Sequence, residues 1–101
     1  MYRVQAGGKK QRYKMDRDIK AIIILLATQA MINMGEIQDP VTQESRDDLE
    51  GAALFIELLD VLETKTKGNL TAAELTFFTE VKENLDKVYN KKLNAGYYHE
   101  E

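Results

Sequence analysis

The stretch ETKTKGNLT, Glu63 to Thr71, lies between two apolar segments and decides how they are joined. Lys65 and Lys67 belong in or just after the last turn of a preceding helix, where cations favour the negative end of the helix dipole. Gly68 supplies the left-handed backbone that ends such a helix. Thr71 can accept from the backbone N–H of Glu74 while the Glu74 side chain reaches back, a capping box that opens the next helix. Leu70 before the cap and Leu75 at the fourth helical position form the hydrophobic staple that goes with it. The stretch therefore predicts a tight helix–helix corner. Two functional readings of it are weaker. Asn69-Leu70-Thr71 matches a glycosylation sequon, but no secretory signal is read ahead of it. An anion near Lys67 and Asn69 would compete with the capping box for free N–H groups. No G-x-x-x-x-G-K-[ST] pattern accompanies it, so nucleotide binding has no support.

Working outward, the spacing predicts an all-α, three-helix module with helices over about 16–34, 45–66 and 71–92. In the first, Ile19, Ile22, Ile23, Leu26, Ala30 and Met34 share a face, and Ile24, Leu25, Met31 and Ile32 make the others apolar as well. Such a helix is expected to be surrounded by protein. Gly35 stops it, and Asp39-Pro40 belongs to a turn. The second helix is expected to start with Ser45 as N-cap, with Asp47, Asp48 and Glu50 complementing the dipole. Leu49, Ala52, Ala53, Ile56 and Leu59 form its apolar face, and Glu57, Asp60 and Glu63 its wet side. In the third, Leu75, Phe78, Val81, Leu85 and Val88 keep a one-faced helical period. Glu80, Lys82, Glu83, Asp86 and Lys87 are expected to fall mostly toward solvent. Residues 94–101 read as a tail.

With 101 residues the chain has room for one domain, divided as a basic arm at 1–15, the helices at 16–93, and the tail. It has no cysteine, which excludes disulfides and thiolate metal sites and agrees with a cytoplasmic location. The net charge of −3 hides a split. Residues 1–20 carry seven cations against two acids, whereas residues 36–63 carry nine acids against Arg46 alone. That split suggests self-complementarity, or an arm that reaches an anionic partner. The basic lead before Ala21–Ala27 imitates a signal peptide but is long, contains two acids and lacks a good cleavage site. The uncharged run ends at Gly35, short of the roughly 18–20 residues of a membrane span.

The arm, MYRVQAGGKKQRYKM, places Gly7-Gly8 between two runs that a hairpin would pair, Tyr2 with Tyr13 and Val4 with Gln11. Three readings stay open: a solubilising tail, a strand-like arm on a protein partner, or a nucleic-acid contact through Arg3, Lys9, Lys10, Arg12, Tyr13 and Lys14.

Catalytic chemistry finds little material. The one serine and the one histidine, Ser45 and His99, have bland explanations as a cap and a tail residue. His99 has no second histidine for a zinc site. The acidic clusters at Asp47, Asp48, Glu50 and at Glu57, Asp60, Glu63 could in principle hold a hard cation, but they read first as dipole partners and a solvated face. No enzyme, metal, cofactor or small-molecule substrate is expected.

INMGEIQDP (32–40), DLEGAALFIELLDVLETKTKGNLTAAEL (48–75) and NLDKVY (84–89) together resemble a bacterial family of small helical proteins, domain of unknown function eighteen-forty-four. KTKGNLT at Lys65–Thr71 is its most specific part and is intact. Met34 stands where the family favours leucine, and Asp86-Lys87 departs from its third helix. The resemblance covers about Ile19 to Tyr89 and implies a cytoplasmic three-helix module, with no activity to carry over.

The expectation that follows is a non-catalytic protein–protein interaction module, a homodimer or an accessory subunit of a larger assembly. Ile22, Ile23, Leu26, Phe78 and Leu85 are its candidate interface or core positions. The alternative is a nucleic-acid or ribonucleoprotein-associated factor working through the basic arm.

Overall fold

A computed structural model describes residues 18–100; the expected basic arm and its hairpin lie outside the described residues. The described chain forms three helices, α1 (Ile19–Asn33), α2 (Leu49–Lys65) and α3 (Ala72–Glu100), and no strand. The fold is the all-α three-helix module that the periodicities imply.

Both ends of α1 have a local chemical cause. The Asp18 carboxylate accepts from the Lys20 N–H at 3.0 Å and opens α1. At the other end Gly35, at φ +82°, takes the left-handed conformation. The Gly35 N–H then donates to the Ile32 carbonyl at 3.0 Å and the Glu36 N–H to Met31 at 2.9 Å. This pair of bonds is the Schellman arrangement that satisfies the last carbonyls of a helix.

The N-cap of α2 is Asp48, and Ser45 is exposed upstream of it, which corrects the expectation for Ser45. Asp48 Oδ1 accepts from the Gly51 N–H at 2.9 Å, and the Asp48 N–H donates to the Asn33 carbonyl at 2.8 Å. The second bond holds Asp48 at the end of α1, so tertiary geometry decides between two residues that could each cap. A second correction concerns the C-terminus. The backbone of α3 stays helical to Glu100, past Lys92, so 94–100 is helix and no irregular tail.

The three helices run up, down and up. Lys20, at the start of α1, has its ammonium 6.0 Å from the Phe77 ring centre near the start of α3. Beyond the end of α1, Glu36 pairs with Lys92 of α3 at 3.1 Å. α1 thus runs parallel to the first two thirds of α3, and α2 returns antiparallel to both. One core unites Ile23, Ala30, Met34, Ala52, Leu59, Phe78 and Leu85. Ala30 and Ala52, both fully buried, place small side chains where α1 and α2 approach. No helix among the described residues is long and apolar enough to cross a membrane.

Candidate interaction surface

The corner forms as its sequence implies. The Thr71 N–H donates to Glu74 Oε1 at 2.8 Å and the Glu74 N–H donates to Thr71 Oγ1 at 3.1 Å, a complete capping box. Gly68 sits at φ +85°, and the Asn69 N–H closes the turn onto the Thr66 carbonyl at 2.8 Å. The Thr66 hydroxyl donates to the Leu62 carbonyl at 2.8 Å, which satisfies another end of α2. Leu70 and Leu75 line one open cleft of about 540 Å³ together with Glu63, Thr64, Lys67 and Gly68. Leu75 is half exposed there, although its spacing put it on the core face of α3. Thr66, Thr71 and Glu74 are therefore committed to holding the corner.

The acidic side of α2 is partly an interhelical clamp. Lys82 Nζ of α3 lies 2.6 Å from Asp60 Oδ1 and 2.6 Å from Glu63 Oε1. Lys82 is half-buried, which corrects its placement among the solvent-facing charges of α3. Burial by itself would lower the ammonium's pKa. The hydrogen bonds to Asp60 and Glu63, and the charges of both, outweigh that effect and hold it above its ordinary value. Among the described residues no group of three or more His, Cys, Asp or Glu side chains is placed to hold a metal ion. Ser45 stands exposed in the loop before α2, and only the helical backbone of His99 is described.

Of the five expected interface positions, Ile23, Phe78 and Leu85 are fully or almost fully buried in this chain's own core. Leu26 packs half-buried against that core. Ile22 is exposed. Arg3, Lys9, Lys10, Arg12, Tyr13 and Lys14 lie outside the described residues.

A different apolar surface emerges on α2. Leu54, Leu58 and Val61 recur at spacings of four and three, and Leu54 and Val61 are each 53% exposed. Since Asp60 and Glu63 reach α3 through Lys82, the helical period puts this stripe on roughly the opposite side of α2. The same holds for α1. Its Ala27 and Met31 line a groove with Val81 and Leu85 of α3, while Ile22 and Leu25 fall on the far side. Leu25 is 70% exposed. The helical period therefore places five exposed apolar residues of α1 and α2 on the side away from α3. Leu25, Leu54 and Val61 were not singled out from sequence as interface residues. The signal was present in the 54–58–61 spacing, but it lay beside the stronger core stripe of the same helix.

No curated protein and no solved structure matches the chain. A family model does, over residues 16–91, and those residues include all of α1 and α2, the capped corner and most of α3. The chain belongs to the family described as a domain of unknown function (DUF1844).

Proposed function

We propose that this chain is a non-catalytic, cytoplasmic protein–protein interaction module, working as a homodimer or as an accessory subunit of a larger assembly. The observation that carries the reading is the outward apolar face of Ile22, Leu25, Leu54, Leu58 and Val61. Removing apolar area from water contributes about 25 cal/mol per Å², so an outward apolar face of this kind favours a covered state. A small three-helix core by itself seldom supplies more than about 3–5 kcal/mol, and association adds to that. The charge split of the sequence supports a second reading, contact with nucleic acid through the basic residues of 1–15.

Photo-crosslinking in native cells separates them. A photoreactive residue replaces Leu58 in one version of the full chain and Glu83, an exposed residue of α3, in another. Protein adducts from position 58 that are absent from position 83 support the interaction face. The same adducts from both positions, or none from position 58, overturn it. Capture of nucleic acid that nuclease abolishes, and that depends on residues 1–15, supports the second reading instead.

A further inference from the structure

We infer that the outer face of α2 pairs with the same face of a second copy of this chain, antiparallel and about a two-fold axis. This deepens the interaction reading, and rests on it, by naming the partner. Along the stripe the residues run Glu50, Leu54, Leu58, Val61, Lys65. It is apolar in the middle, acidic at the N-terminal end and basic at the C-terminal end. In an antiparallel pair the numbers of facing residues add to a constant. The register that sets Leu54 against Val61 of the second copy therefore also sets Glu50 against its Lys65. Two-fold symmetry makes each of these contacts twice, as an isologous interface requires. A parallel pair in register would set Glu50 on Glu50 and Lys65 on Lys65, like charge on like, and is disfavoured. Antiparallel packing also opposes the two helix dipoles.

Two of the remaining acids of α2 point away from this pairing. Asp60 and Glu63 share the Lys82 ammonium and lie toward α3, so they bring little repulsion to the outer face. The same register sets Glu57 against Leu58 of the second copy, at the edge of the stripe, where its exposed carboxylate stays in water. Exposed charges there are screened over about 8–10 Å at physiological ionic strength. Ile22 and Leu25 widen the apolar area from the side of α1.

Sedimentation equilibrium of the full chain tests the pairing, with helical content and melting checked for each variant. The wild-type chain is expected at twice its 11.6 kDa mass at micromolar concentration. Leu58→Glu places a charge in the middle of the stripe and should weaken association at least about tenfold, because two copies of the charge lose water together. Glu50→Lys and Lys65→Glu each spoil two symmetric pairs and should weaken it about three- to tenfold. The double variant Glu50→Lys/Lys65→Glu restores opposite charges and should recover most of the loss. A monomeric wild-type chain, or a dimer indifferent to Leu58→Glu, overturns self-pairing. A double variant as weak as the singles overturns the antiparallel register. A monomer that still yields crosslinks from position 58 to another protein sinks the self-pairing alone and leaves the interaction reading standing.

Discussion

Asn33 Oδ1 accepts a hydrogen bond from Arg46 Nη1 at 3.1 Å, which ties the last turn of α1 to the residues just before α2. The same oxygen also accepts from Gln29 Nε2 at 3.3 Å, and Asn33 is almost fully buried. Arg46 is further held by Asp39, with its Nε 3.7 Å from Oδ2. Asn33→Ala removes the acceptor that Gln29 and the half-exposed Arg46 share. It should cost about 0.5–1.5 kcal/mol, the net worth of such a hydrogen bond. At about 4–8 °C per kcal/mol for a domain of this size, calorimetry will resolve the shift. A change under about half a kcal/mol would mean that water replaces Asn33 without loss.

The two left-handed glycines separate conformational strain from crowding. At Gly68 a Cβ would meet nothing within 4 Å, so Gly68→Ala should cost only the left-handed penalty, about 1–2 kcal/mol. At Gly35 the same Cβ would lie 2.7 Å from the Arg46 carbonyl oxygen. Gly35→Ala must also displace backbone and should cost clearly more. Urea denaturation of both variants gives the order, and equal losses would remove the crowding argument.

Caps supply a direct check on where α2 begins. Asp48→Ala and Thr71→Ala should each destabilise by about 1 kcal/mol, as lost N-caps do. Ser45→Ala should stay within about 0.5 kcal/mol, as at an ordinary exposed site. The reverse order for Ser45 and Asp48 would move the start of α2 upstream.

The Lys82 clamp gives a pH dependence with a definite sign. Its folded pKa is raised above the ordinary 10.5, so its contribution is complete below that value. The contribution fades as pH rises through the raised value. With Asp60 and Glu63 about half exposed, each pair is worth roughly 0.2–1 kcal/mol. The stability gap between wild type and Lys82→Met should therefore be steady from neutral pH to about 10 and close in stronger alkali. A gap that widens there would assign the stabilisation to another group.

Much of the fold was legible because its causes are local. The capping box at Thr71 and Glu74, the positive-φ glycines and the one-sided period of Phe78 and Leu85 all act within a few residues. Other positions were not legible because a distant partner decides them. Asp48 displaced Ser45 as cap because Asn33 holds its N–H. Lys82 turned inward because Asp60 and Glu63 wait on another helix. Without proline to stop it, α3 continued through Gly96, at a cost of about 1 kcal/mol relative to alanine. Leu25 illustrates a further limit. Its apolarity was evident, but apolarity states what a side chain favours and leaves open which surface covers it.

The shortness of the corner at 66–71 has a kinetic consequence. The connection at 34–48 is two and a half times as long, so closing it costs roughly 0.8 kcal/mol more in chain entropy. The α2–α3 hairpin should thus nucleate folding, with α1 docking afterwards onto a surface already assembled. In stopped-flow refolding, Thr71→Ala should then mainly slow folding, and Asn33→Ala should mainly hasten unfolding. The opposite partition would place the nucleus at α1 and α2.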